Sequence, residues 1–156
     1  MKTFTDAAGR TWSIALTLGT AMYVKTKLDI DLLQPEVGEP PLLTRLGTDE
    51  MLLGEVLCAL LESQFETHNV TDIDVRNAFD GKTLLAAQKA FYEELTDFFR
   101  SRGRMDRAKA VAAQATLIDK ATAAVEGKID TMDLDRLIDG ALSGSLQAPS
   151  ASTPGT

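Results

Sequence analysis

Cysteine and histidine are nearly missing from this chain, which has one of each in 156 residues. With Cys58 alone no intramolecular disulfide forms, so a reducing compartment suits the protein. Cys58 sits in the apolar run Leu57-Cys58-Ala59-Leu60-Leu61, with no cation beside it in sequence. That setting predicts a buried, inert thiol. The single histidine, His68, rules out most His-based triads and metal sites. It falls at a predicted helix C-terminus, where a cation or donor is favoured, and so reads as a capping or surface group. Aromatics are only 6% of the residues, so the core must be mostly aliphatic. No apolar run approaches the roughly 20 residues that cross a bilayer, and the start shows no charged-then-apolar leader. Positive charge is short as well: 16 Lys and Arg stand against 23 Asp and Glu, a net charge of −7. That balance disfavours non-specific binding to nucleic acid or anionic membrane, since both need a basic surface. These absences together predict a soluble cytoplasmic protein with no nucleic-acid partner, no membrane contact and no cofactor.

What is present is a hairpin followed by helices. Phe4, Trp12, Ile14 and Leu16 alternate with polar or small residues, the period of a half-buried strand. Asp6 to Gly9 lies between the two runs as a tight loop, with Gly9 free to take positive φ. A two-stranded hairpin is marginal alone in water, so its apolar face must lie on the helices that follow. The predicted fold is α+β and mostly α: an N-terminal β-hairpin packed on a bundle of about five to six helices, with a disordered C-terminal tail. Residues 1–142 form one globular domain (hairpin 2–17, helical body 18–142), and 143–156 a flexible tail.

Within the body, Leu18 to Leu28 reads as a short helix, and Asp29 to Leu33 as either a third strand or that helix's end. Pro35, Gly38, Pro40 and Pro41 enforce a loop. Leu42, Leu43 and Leu46 give one or two helical turns before Gly47. Thr48 is the predicted N-cap of a long central helix that carries Met51 to Phe65 and ends near His68-Asn69. Thr71-Asp72-Ile73-Asp74 resembles a capping box with Asp in the usual Glu position. Asp80-Gly81 separates that short helix from a strongly amphipathic one, bearing Leu84 to Phe99 and closing at Gly103. An alanine-rich helix from Met105 to about Val125 follows. Gly127 interrupts the pattern before a last short helix with Leu134, Leu137, Ile138, Ala141 and Leu142 on one face.

No catalytic constellation emerges. Gly81-Lys82-Thr83 lacks the earlier glycine of a phosphate loop, because Arg76 stands there. The acidic runs at Asp72 and Asp130 lack the Gly and Glu that a calcium loop needs at its sixth and twelfth positions. Glu55, Glu62 and Glu66 fall among polar positions and read as a solvated face. Arg100, Arg102, Arg104, Arg107 and Lys109 form a basic cluster in an acidic chain. It reads as a soluble turn or as a docking patch for an acidic partner. Val111, Ala115, Ile118 and Val125 on one helix, with Leu134, Leu137 and Ile138 on the next, either complete the core of the chain or serve as apolar protein-binding faces. Homo-oligomerisation through the same faces is an open alternative.

The segment Phe4-Thr5-Asp6-Ala7-Ala8-Gly9-Arg10-Thr11-Trp12 resembles the start of small proteins from tailed-phage and prophage tail modules. Thr48-Asp49-Glu50-Met51-Leu52-Leu53, Asn69-Val70-Thr71-Asp72-Ile73-Asp74, Phe79 and Tyr92-Glu93-Glu94-Leu95-Thr96-Asp97-Phe98-Phe99 continue the likeness. The order of parts is similar to that of phage tail assembly chaperones: a β element, a helical body and a polar tail. The resemblance implies a non-enzymatic protein of the host cytoplasm. Such a protein binds the tape-measure protein, or another tail protein, and keeps it soluble until the tube polymerises. It also implies that the uncharged stretch from Ser143 is a linker to a frameshifted longer form. The competing expectations are a head–tail connector or completion protein of the virion, and an adaptor that uses the basic cluster.

Overall fold

The N-terminal alternation becomes an antiparallel hairpin in the computed structural model, which describes the backbone of residues 1–146 and the side chains of residues 1–125. Strands β1 (Lys2–Thr5) and β2 (Thr11–Ile14) pair with Phe4 opposite Trp12. Phe4, Trp12, Ile14 and Leu16 are all buried, which puts the whole apolar set on one face. Gly9 closes the loop at φ +82°, a conformation that L side chains rarely adopt.

Asp6 holds that loop together from inside. Its carboxylate accepts from the Ala8 and Arg10 backbone N–H groups at 2.9 Å each and from the Trp12 indole N–H at 2.9 Å. The Arg10 guanidinium adds a bond at 3.3 Å. Burial pushes the carboxyl up, but the bonds from Trp12, from the Arg10 and Ala8 backbone and from the Arg10 side chain outweigh it. The group stays below the usual carboxylate range.

Six helices follow: α1 (Leu18–Leu28), α2 (Leu42–Thr48), α3 (Glu50–Leu61), α4 (Asp72–Asn77), α5 (Gly81–Ser101) and α6 (Met105–Leu146). No third strand forms at 29–33; Asp29 ends α1 in the left-handed region at φ 56°, and turns follow. The hairpin lies against α5, while α3 packs against α1, α2, α4, α5 and β2. The side chain of Gln64 binds the β2 backbone at both ends of its amide, from Ser13 N–H at 3.0 Å and to the Ser13 carbonyl at 2.7 Å. Trp12 meets Phe65 edge-on at 6.0 Å and His68 at 4.4 Å, and Phe4 meets Phe79 at 5.5 Å. His68 is therefore half-buried against the indole.

Four local predictions need correction. The N-cap of α3 is Asp49, whose carboxylate accepts from Leu52 N–H at 3.1 Å; the Thr48 hydroxyl instead donates to the Thr44 carbonyl within α2. A hydroxyl with a carbonyl one turn back in reach satisfies itself there and leaves the cap to the neighbouring carboxylate. Next, α3 stops at Leu61 and passes through a 3₁₀ turn, Glu62–Gln64, into turns that reach Asn69. The tightening brings Gln64 to the β2 backbone and keeps Phe65 at Trp12, so the apolar pattern continues after the helix has ended. Finally, Gly127 does not break the last segment: α6 is one helix of 42 residues. A helical Gly costs only about 1 kcal/mol relative to Ala. Residues 143–146, assigned to the tail, also lie within α6. The rest of the predicted tail, 147–156, lies outside the described residues.

The predicted capping box at α4 is present. Thr71 Oγ1 accepts from Asp74 N–H at 3.3 Å, and the Asp74 carboxylate accepts from Thr71 N–H at 3.0 Å. Thr71→Ala is expected to cost about 1 kcal/mol, measured as a shift in the urea midpoint. A second feature invites the opposite change. Tyr92 is buried on α5, and its hydroxyl has no hydrogen-bond partner among the described residues. Gln88 lies near without reaching bonding geometry, and burial pushes the phenol up to about 12. Removing an orphaned hydroxyl also removes its desolvation cost, so Tyr92→Phe should be neutral or stabilise by up to about 1 kcal/mol in urea unfolding.

The chain divides into two compact units, Met1–Thr116 and Leu117–Thr156. The first turns of α6 belong to the first unit, where Ala108 and Val111 are buried. Arg107 fixes them: its guanidinium binds both Glu36 oxygens at 3.0 and 2.7 Å, donates to the Leu33 carbonyl at 2.6 Å and lies over the Phe99 ring. Gln114 lies against Gly47, where a Cβ would stand 2.7 Å from its amide nitrogen. In the second unit, none of the described side chains from 117 to 125 is buried.

Candidate functional site

Helix α3 turns one stripe of small and flexible residues away from the core. Met51, Gly54, Glu55 and Cys58 recur at intervals of three and four, which stacks them on one face. The opposite residues Leu53, Val56, Leu57, Leu60 and Leu61 are buried. Above the outward stripe runs a hollow of about 490 Å³, closed on its far side by Arg76 of α4, by Phe79 and by Leu84 of α5. It adjoins a second hollow of about 440 Å³ that reaches Lys27, Leu28, Glu62, Phe65, Glu66 and Asp72. The two share Glu55, Cys58 and Arg76, so they form one trough along α3.

The floor of the trough is open and apolar. Met51 is 80% exposed at one end. A Cβ at Gly54 would meet nothing within 4 Å. Cys58 is half-buried rather than buried, and Arg76 lies beside it, a cation that sequence proximity did not reveal. Burial pushes the thiol up and outweighs the opposing pull of Arg76. Cys58 is therefore a poor nucleophile at neutral pH, in keeping with an inert thiol.

Across α3, a hollow of about 340 Å³ is lined by Gly19, Thr20, Tyr23, Ala59, Leu60, Glu62 and Ser63. Glu62 is ion-paired there while its side chain stays 39% exposed, as a solvated face allows. Its carboxylate accepts from the Lys27 ammonium and the Tyr23 hydroxyl, which hold it below the usual range. No group of three or more His, Cys, Asp or Glu among the described residues is placed to hold a metal ion.

The predicted protein-binding residues divide. Val111 is fully buried and is part of the core of its unit, so it cannot meet a partner while that unit is folded. Ala115 and Ile118 are half-buried, and Val125 is 54% exposed. Leu117, one position off the predicted stripe, is 61% exposed. Leu134, Leu137 and Ile138 lie in α6, but their side chains are outside the described residues. The basic cluster is largely neutralised within the chain. Arg100 pairs with Asp97 at 3.3 Å, and Arg104 grips Asp106 with two bonds at 3.0 and 2.9 Å. Arg107 is held by Glu36, while Arg102 is exposed.

The trough itself was missed by sequence reasoning. Its walls come from α1, α3, α4 and the start of α5, which no local pattern brings together. One sign was present in the sequence: Met51, Gly54 and Cys58 interrupt the otherwise aliphatic helix at helical spacing. Compared with known protein families, curated proteins and solved structures, the chain matches none.

Proposed function

We propose that this chain is a non-enzymatic chaperone of phage tail assembly. It binds the tape-measure protein, or another tail protein, and keeps it soluble in the host cytoplasm until the tail tube forms. One observation carries this reading: a folded unit leaves an open apolar trough along α3, with Met51 exposed at its end. Such a groove suits a helical segment, whose apolar face packs into it while its own backbone bonds stay intact. Methionine adds adaptability, since its unbranched side chain conforms to varied partners. The resemblance at residues 4–12, 48–53, 69–74 and 92–99 supports the same reading. Exposed Leu117 and Val125 on α6 offer further apolar contact.

Co-expression with the tape-measure protein of the same tail module tests it. The soluble fraction of that protein should rise several-fold with this chain and fall back without it. Mass spectrometry of purified particles should then find the chain missing. Its presence in a fixed ratio would assign it to the virion as a connector instead. The adaptor reading is weaker, because Arg100, Arg104 and Arg107 already have acidic partners inside the chain.

A further inference from the structure

Five acids and two cations line the trough: Glu50, Glu55, Glu62, Glu66 and Asp72 against Lys27 and Arg76. Both cations are already paired, Lys27 with Glu62 and Arg76 with Asp72 at 3.5 Å. Three carboxylates are thus in surplus around a groove whose apolar lining is Met51, Gly54 and Cys58 on the floor with Phe79 and Leu84 on the far side. Glu50 and Glu55 are both exposed at its edge. An occupant that covers the floor brings its own flanks against these acids. Like charge there is costly and opposite charge steers and holds. The lining of the trough runs from Met51 along α3 into the 3₁₀ turn at Glu62, about 16 Å at the rise of an α-helix, or three turns.

We propose that the trough takes an amphipathic helix of a partner protein, about three turns long, apolar on one face and bearing Lys or Arg on its flanks. The inference rests on the reading above for the kind of partner and names the chemistry of the segment that docks. A second copy of this chain is a poorer occupant. Pairing trough to trough sets Glu50, Glu55 and Glu66 against their own counterparts. Pairing through the basic turn at 100–109 would compete with the ion pairs that already hold Arg100, Arg104 and Arg107.

Two synthetic helical peptides with one shared Leu/Ala face, flanked by Lys in one and by Glu in the other, test this on the full chain. Binding is read by fluorescence anisotropy, and position by the rate of Cys58 alkylation under excess reagent at alkaline pH, where the half-buried thiol ionises. The Lys-flanked peptide should bind at least about tenfold tighter than the Glu-flanked one and should slow Cys58 alkylation. A Cβ at Gly54 meets nothing within 4 Å, so Gly54→Leu should keep its helical circular dichroism yet fill the floor and weaken the Lys peptide by about tenfold or more. Glu50→Gln with Glu55→Gln should flatten the salt dependence of binding. Equal affinity for both peptides overturns the proposal, as does unchanged alkylation or unchanged binding by Gly54→Leu. A dimer of the chain alone with Cys58 already protected also overturns it and gives the trough to a second copy. If the tape-measure protein is kept soluble while the Lys peptide fails to bind, this inference falls and the chaperone reading stands. If the peptide binds as expected and that protein is not kept soluble, the chaperone reading falls and the inference stands.

Discussion

Asp6→Ala is expected to destabilise the first unit by about 3 to 5 kcal/mol, the range for removing one partner from a buried, charge-assisted network. The side chain is fully buried beside Arg10, and its removal orphans the Trp12 indole N–H and the backbone N–H groups of Ala8 and Arg10 together. Water cannot readily replace the carboxylate at Trp12, because that ring is itself fully buried. The loop also carries a tie to the helical body, from Ala7 N–H to the Ala78 carbonyl at 3.0 Å, which depends on the same loop geometry. Urea unfolding followed by tryptophan fluorescence measures the loss. Asp6→Asn should fall between wild type and Ala, since the amide keeps one acceptor oxygen but presents an NH₂ to donors.

The same carboxylate sets an acid limit. Its pKa in the folded chain is held below the ordinary value, so the unfolded chain takes up a proton first as pH falls. Its contribution is complete above the unfolded value near 4 and is lost as pH falls through the lower folded value. Asp74, Asp80 and Asp97 are shifted in the same direction. The difference between wild type and Asp6→Asn therefore isolates Asp6. That difference should be constant above about pH 5 and shrink below about pH 4.

Where a signal is carried by neighbours in sequence, it was readable. The alternation of Phe4, Trp12, Ile14 and Leu16 predicts a face that is in fact buried. Thr71 and Asp74 cap α4 because both partners of the box lie within one turn. Helix α1 begins at Leu18 as its pattern predicts, with Thr17 as the cap, while its end at Asp29 is one of two alternatives that the local sequence leaves open. Features that depend on distant segments were not readable. The end of α3 depends on Gln64 reaching Ser13, 51 positions away. Arg107 appears in sequence as one more charge in a basic cluster, yet its partner Glu36 is 71 positions off. The trough is the extreme case: Arg76 and Cys58 belong to different helices, and nothing in either local sequence announces their proximity. Asp6 itself reads as an ordinary loop residue, because turns favour Asp whether or not an indole lies beneath it.

The chain's single tryptophan should show the largest loss of all. Trp12→Ala removes a fully buried ring from contact with Phe65 and His68, a change worth about 3 to 5 kcal/mol when the cavity cannot collapse. It also strips the Asp6 carboxylate of its indole donor, which adds about 1 kcal/mol. A loss of about 4 to 6 kcal/mol approaches the whole stability of many domains of this size. Because both strands pack on α5 and β2 also meets α3, the damage should spread beyond the hairpin and lower the melting of the entire first unit. Far-UV circular dichroism is the measurement, since the variant has no indole to report. Trp12→Phe separates the two contributions: it keeps most of the ring body and loses the N–H. In that background Asp6→Ala should cost less than in wild type, by about 1 to 2 kcal/mol, the coupling expected of groups in direct contact. Equal costs in the two backgrounds would mean that the indole bond contributes nothing and that Asp6 acts through the loop backbone alone.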